Sequence, residues 1–256
     1  MNNSTHMPAL EVSCLNVSYK KESVLFDVSV TVPQGVMLGV IGPNGAGKTT
    51  FFCAVLGLIA YSSGTISLLG SPIDGVRNNI TYIPQRSSVD WDFPLTVFDM
   101  VLMGCYGKLG WFSRPSHDDH QRAYQSLDMV GLSDYAHKPI GILSGGQKQR
   151  AFLARALMSD ALIYFLDEPF AGVDIATEKI IIALFKKLRD EGKTIIVIHH
   201  DLLTAPLYFD WAFLLNKTSI ACGPLSEIFT SENIMRLYGS AAIAQMVSIH
   251  ADQKGM

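Results

Sequence analysis

The stretch Gly42-Pro43-Asn44-Gly45-Ala46-Gly47-Lys48-Thr49 matches the spacing GxxxxGK[ST] in full, and it constrains the fold more than any other part of the chain. A loop of this kind works only between a strand and a helix. Both are readable around it: residues 36–41 form a continuous apolar run, and residues 50–58 carry a helical pattern. The glycines let the backbone curl until several N–H groups point at one anion, and the following helix adds the positive end of its dipole. Lys48 is expected to reach the β- and γ-phosphates of a nucleotide, and the Thr49 hydroxyl to ligate Mg²⁺. The candidate nucleotide-binding loop comprises Gly42, Pro43, Asn44, Gly45, Ala46, Gly47, Lys48, Thr49 and Thr50.

The rest of the chain supplies the strands and helices such a loop needs. Residues 12–17 and 24–32 alternate or are β-branched and are separated by Lys20, Lys21 and Glu22, which predicts antiparallel strands. Residues 161–166 and 194–198 are continuous apolar runs, as in central strands covered on both faces. Between them, Ile181, Leu184, Phe185 and Leu188 recur at helical spacing. Strand, helix, strand in succession predicts a parallel sheet with crossover helices. Residues 97–103 and 121–130 suggest helices, so residues 86–160 read as a mainly helical insertion. A late hairpin is expected at residues 211–215 and 219–222, helical turns at residues 231–238, and a frayed end from about Gln245. At 256 residues the chain is long enough for one large domain or two small ones.

A second chemical signal is the pair Asp167-Glu168 directly after the apolar residues 162–166. Charge beside an apolar core is costly unless it is paired or bound to metal, and neighbouring side chains of a strand point in opposite directions. Two roles follow. Asp167 helps hold Mg²⁺, directly or through water, and Glu168 polarises an attacking water as general base, a contribution of ~10²–10⁴-fold.

Composition removes several function classes. The chain carries 20 Lys+Arg against 23 Asp+Glu, a net charge of -3, which offers no footprint for sequence-independent nucleic-acid binding. The apolar runs are too short to cross a bilayer, which needs about 20 apolar residues. The polar residues 1–10 do not read as a secretory signal, so a cytoplasmic address is expected. Hydrophobic residues make up 48% of the chain and the mean hydropathy is +0.24, so some apolar surface is expected to serve a partner. Cys14, Cys53, Cys105 and Cys222 lie far apart without a CxxC pair, and are expected to be reduced and mostly buried. The segment Ser116-His117-Asp118-Asp119-His120 invites a metal-site reading; it reads as a helix start, because Ser116 can cap and early acids favour the helix dipole.

Leu143-Ser144-Gly145-Gly146-Gln147 stands before a helical stretch, residues 148–157, and ahead of the carboxylate pair. With it the chain resembles the ATP-binding-cassette (ABC) ATPases over nearly its whole length, with every motif in order: Tyr19, the phosphate loop, Gln85, LSGGQ, Asp167-Glu168, the Asp174 loop and His200. The resemblance implies an α/β fold: a P-loop NTPase (RecA-like) core with an N-terminal antiparallel β subdomain and an inserted α-helical subdomain, divided as residues 1–85, 86–160 and 161–256. Tyr19 would then stack on adenine, worth about 1–3 kcal/mol by analogy with base stacking; taken alone it reads as a strand tyrosine. Gln85 has an amide that donates and accepts, suited to contact Mg²⁺ or water and to sense the γ-phosphate. Ser144, Gly145, Gly146 and Gln147 at a helix start are a second nest of phosphate-binding N–H groups or a plain N-cap. His200 matches the family's functional histidine because it precedes Asp201; His199 is its rival by position. In this family the LSGGQ of one subunit closes over the nucleotide held by another. The resemblance therefore implies a head-to-tail homodimer that sandwiches two ATP molecules and opens on hydrolysis.

Three stretches narrow the resemblance. Residues 86–94, residues 167–174 and Ile198-His199-His200-Asp201 are similar to those in ATPases of bacterial manganese, zinc and iron importers. Many relatives outside that group carry Ser-Ala-Leu-Asp where this chain has Ala171-Gly172-Val173-Asp174. The implied role is an ATPase that powers metal import through a polytopic membrane permease. It would sit peripherally on the cytoplasmic face of the inner membrane, with an extracytoplasmic metal-binding protein as an indirect partner and no nucleic acid. Trp91 and Phe93 open the helical insertion, where family members receive a helix of the membrane subunit; they are anchors there or buried packing. The alternatives are the ATPase of another importer, such as one for siderophores, and a soluble ABC protein of iron-sulfur assembly or DNA repair. The lack of a coiled-coil insertion and of a basic face argues against DNA repair.

Overall fold

Strands buried on both faces carry the fold, as the three apolar runs predict. In the strands at Met37–Ile41, Ile163–Asp167 and Thr194–His199 every side chain is buried. A computed structural model describes residues 7–19, 22–85, 94–109 and 113–239, with Tyr19 described by its backbone alone. In chain order these form β1 (Leu10–Tyr19), β2 (Glu22–Val32), β3 (Met37–Ile41), α1 (Lys48–Val55), β4 (Ser63–Leu68), α2 (Ile73–Val76), β5 (Ile80–Ile83), α3 (Val97–Leu102), α4 (His117–Met129), α5 (Gly145–Met158), β6 (Ile163–Asp167), α6 (Ile175–Asp190), β7 (Thr194–His199), α7 (Ala205–Tyr208), β8 (Trp211–Asn216), β9 (Thr218–Pro224), α8 (Leu225–Ile228) and α9 (Ser231–Tyr238). The chain divides into two compact units, Met1–Val76 with Ile196–Met256, and Arg77–Ile195.

In the first unit β1 is the centre of an antiparallel sheet in the order β2-β1-β4. Leu10 pairs with Val32 on one side and Leu68 on the other. The two N-terminal strands were legible; β4 was not, because Ser63, Gly64 and Thr65 hide its apolar alternation. β3 runs parallel to β8, with Ile41 opposite Leu214, and β8 turns back antiparallel into β9. Asp210 anchors the start of β3, accepting the Met37 N–H at 2.7 Å. Helix α1 packs on β8 through Phe51 and Phe213, both buried, with ring centroids 5.4 Å apart. The thiols depart from expectation: Cys105 is buried, but Cys53 and Cys222 are half-buried and Cys14 is exposed. Cys14 lies where the β1 register shifts, with φ 50°, and the bulge turns its side chain out of the alternation.

In the second unit β5 and β6 pair in parallel, Ile80 opposite Ile163. Its helices begin where short polar side chains satisfy their first N–H groups. Thr96 with Asp99, Ser116 with Asp119 and Ser144 with Gln147 each form a capping box. These caps set α4 and α5 earlier than the apolar periodicity alone indicates, at His117 rather than residue 121 and at Gly145 rather than residue 148. His120 Nδ1 lies 2.7 Å from the Ser116 carbonyl and His117 Nε2 lies 3.1 Å from the Gln121 amide, so both rings bond within their own helix. Among the described residues no helix is long and apolar enough to cross a membrane.

The Phe51–Phe213 contact is what holds the phosphate-loop helix on its sheet. Phe213→Ala is expected to cost about 3–5 kcal/mol, read as a lowered midpoint in thermal or urea unfolding.

Candidate functional site

The phosphate loop is shaped by its own lysine. Lys48, the first residue of α1, is 7% exposed. Its Nζ donates to the carbonyls of Gly42 and Pro43 at 2.7 and 2.9 Å. The Pro43 carbonyl also accepts the Ala46 N–H at 3.1 Å, so the loop closes on itself around the lysine. The pattern needs glycine at two points for identifiable reasons. A Cβ on Gly42 would stand 2.0 Å from the Leu215 carbonyl oxygen, and one on Gly47, at φ 90°, would stand 2.5 Å from the Leu25 side chain. The β8–β9 turn braces the loop from below: the Lys217 N–H donates to the Ala46 carbonyl at 2.9 Å, and the Lys217 carbonyl accepts from the Phe26 N–H at 2.8 Å. Lys217 acts through its main chain at φ 60°, so its residue type gave no signal. Asn44, Gly45 and Thr49 are exposed, and Pro43 and Thr50 half-buried.

In the second unit Asp167 is the last residue of β6 and is buried, while Glu168 follows half-exposed with φ 50°. A positive φ at a non-glycine residue costs on the order of 1–3 kcal/mol and is held only where the surroundings impose it. It swings Glu168 away from the strand direction of Asp167, so the two carboxylates leave the same strand end differently. Gln85, just beyond β5, donates from Nε2 to Glu168 Oε2 at 3.1 Å, so two motifs far apart in sequence meet. Ser144 is an N-cap: its hydroxyl accepts the Gln147 N–H at 3.3 Å, and the Gln147 side chain accepts the Ser144 N–H at 2.8 Å. Gly145 and Gly146 open α5 directly after it. Asp174 caps α6, accepting the Thr177 N–H at 2.7 Å, and that bond holds its carboxyl below the usual carboxylate range. A cleft of about 900 Å³, lined by Arg122, Asp128, Asp160, Tyr164 and Lys193 among others, contains none of the motif residues.

The two histidines at the end of β7 differ sharply. His200 is exposed and His199 is buried, and burial pushes the His199 pKa down from 6.5 to about 4. Two expected contacts lie outside the described residues: the adenine-facing side chain of Tyr19, and Trp91 with Phe93. The end of the chain from Gln245 does as well.

The unfolded chain binds a proton on His199 that the folded chain refuses between about pH 6.5 and pH 4. Stability is therefore expected to fall as pH drops through that window, by up to about 3 kcal/mol. His199→Phe should flatten this part of the pH–stability curve, measured by urea unfolding.

Comparison with known proteins agrees with this arrangement. The ABC transporter family model matches residues 25–171. The manganese transport system ATP-binding protein MntB of Bacillus subtilis is 51% identical over 230 residues, 90% of this chain and 92% of that protein. The zinc transport system ATP-binding protein TroB of Treponema pallidum is 50% identical over 231 residues, covering 90% and 87%. Among solved structures, cbiO1 from Clostridium perfringens, part of the ABC transporter complex cbiONQ, superposes with TM-score 0.76 at 27% identity, covering 94% of this chain and 99% of that one. An ATP-binding subunit of an ABC transporter superposes with TM-score 0.77 at 26% identity and the same coverage. A phosphate loop closed on its lysine, a capped LSGGQ helix and a carboxylate pair ending a buried strand thus occur in a chain that is about half identical, over 90% of its length, to transport-system ATP-binding proteins: it belongs to the ABC transporter family.

Proposed function

We propose that the chain hydrolyses ATP to drive import of a transition-metal ion, manganese, zinc or iron, through a separate membrane permease. The observation that carries the hydrolytic part is Glu168, held at positive φ at the end of a buried strand and bonded to Gln85. The metal rests on the relatives, which are named for manganese and zinc transport. Gly42 to Thr50 bind the phosphates, and Lys48 exchanges the Gly42 and Pro43 carbonyls for β- and γ-phosphate oxygens. Thr49, Asp167 and Gln85 are the ligands assigned to Mg²⁺; hydroxyl, carboxylate and amide oxygens are the hard donors this ion selects. When bound, Mg²⁺ would supply positive charge to offset the negative charge that develops on the phosphates. Glu168 takes the proton of the attacking water, His200 bonds the γ-phosphate, and Tyr19 stacks on adenine.

The Ser144, Gly145, Gly146 and Gln147 segment of a second copy completes the site, so the working form is a head-to-tail homodimer. It works at the cytoplasmic face of the membrane, divided functionally as residues 1–85, 86–160 and 161–256, with an extracytoplasmic metal-binding protein delivering to the permease. A cleft of about 700 Å³ in the second unit, lined by Ile83, Met103 and Phe152 together with Arg77, Lys108 and Arg155 among others, offers a helix of that permease both apolar and basic contacts. The nearby Met103 and Tyr106 are exposed.

Glu168→Gln is expected to keep ATP binding and lower turnover by ~10²–10⁴-fold, trapping a nucleotide-bound dimer seen by size-exclusion chromatography; unchanged turnover would remove the base assignment. Met103→Glu is expected to abolish co-purification with a polytopic membrane protein in mild detergent while leaving the thermal midpoint in place.

A further inference from the structure

His199 has no part in the chemistry assigned above, yet it is 5% exposed at the end of β7, with the rings of Tyr208 and Phe209 edge-on at 5.9 and 5.4 Å. Its Nε2 lies 2.8 Å from Thr204 Oγ1. The Thr204 hydroxyl in turn donates to Asp201 Oδ2 at 3.0 Å. The Thr204 hydroxyl thus lies between the imidazole and the carboxylate and joins the two. Asp201 Oδ1 accepts the Leu203 N–H at 2.8 Å, so both carboxylate oxygens are held and the turn that begins directly after His200 is closed. On the other side, the Tyr238 hydroxyl of α9 donates to the His200 carbonyl at 3.5 Å. The peptide carrying His200 is held on both flanks while its side chain faces outward.

We propose that His199 is a positioning residue: through the relay His199 to Thr204 to Asp201 it fixes the backbone that carries His200, and so aims the His200 imidazole at the γ-phosphate. This rests on the role assigned to His200 in the preceding subsection. The chemistry needs such a device, because His200 stands beyond the last residue of the strand, where ladder hydrogen bonds no longer hold the chain. A displacement of about 1 Å at a group touching the reacting phosphate can lower turnover by about 10²-fold. A buried imidazole suits the task. The ring stays neutral at neutral pH, since burial outweighs the attraction of Asp201 and acts alongside repulsion from His200. The exposed His200 is left to meet the nucleotide. The two adjacent histidines, interchangeable by sequence position, thus divide into one that contacts and one that aims.

The test is a set of variants of the full chain assayed for ATP turnover. Thr204→Val and His199→Phe, which keep volume and remove a link, are expected to lower kcat about tenfold, well within the cost of a small misplacement, with KM for ATP unchanged. Thr204→Ser should restore wild-type turnover. Placed on a His200→Ala background, Thr204→Val and His199→Phe should lower kcat no further, since the relay acts only through His200. Nitrogen-15 NMR of histidine-labelled protein should show one neutral ring that does not titrate near pH 6.5 and is absent from His199→Phe. A His199 ring that titrates near pH 6.5, wild-type kcat in Thr204→Val, or the same tenfold loss persisting without His200 would overturn the relay. Full turnover in His200→Ala would instead overturn the reading of His200 and the relay with it, and is distinguishable because it appears in the single variant alone.

Discussion

A buried ammonium organises the catalytic half of this chain. Lys48 is almost wholly withdrawn from water, and an unpaired charge there would be prohibitively costly. The Gly42 and Pro43 carbonyls receive it, and the Pro43 carbonyl also accepts the Ala46 N–H at 3.1 Å. One electrostatic requirement therefore helps curl the loop around its lysine. The loop can curl this tightly only because no side chain stands between Gly42 and the Leu215 carbonyl or between Gly47 and Leu25. The β8–β9 turn then closes it from beneath through Lys217.

In each unit the candidate site residues stand where buried strands end. β3 leads into Gly42, β6 delivers Asp167 and Glu168, and β7 delivers His199 and His200. A strand packed on both faces has no room for charge along its length, so polar residues cluster at the carboxyl end, as is general for parallel α/β sheets. The same strands explain why adjacent polar residues there differ in exposure. Packing on both faces lasts to the final residue of the strand, and the next residue lies beyond it. Asp167 and His199 are buried, while Glu168 and His200 reach solvent.

Much of this was legible because several signals agree locally. The phosphate loop, the apolar runs and the capping residues each specify a strand or helix start on their own. The helix starts at His117 and Gly145 are legible from the capping residues Ser116 and Ser144 and not from the periodicity, because periodicity marks the buried face, whereas the capping box marks the first turn. β4 and β5 escaped notice because one is diluted by Ser, Gly and Thr and the other is four residues long. Their strand character comes from pairing with β1 and β6.

By itself the sequence determined the fully buried strands, the phosphate-loop motif and the capped helix starts, because glycines, a lysine and capping side chains act within a few residues of one another. Tertiary structure alone decided the contacts between distant segments: Gln85 with Glu168, Lys217 beneath Ala46, and Tyr238 against the peptide of His200. It also decided which of two adjacent histidines is buried. Those outcomes depend on which distant segments meet, through main-chain carbonyls at Ala46 and His200, and on burial, and residue identity does not record either.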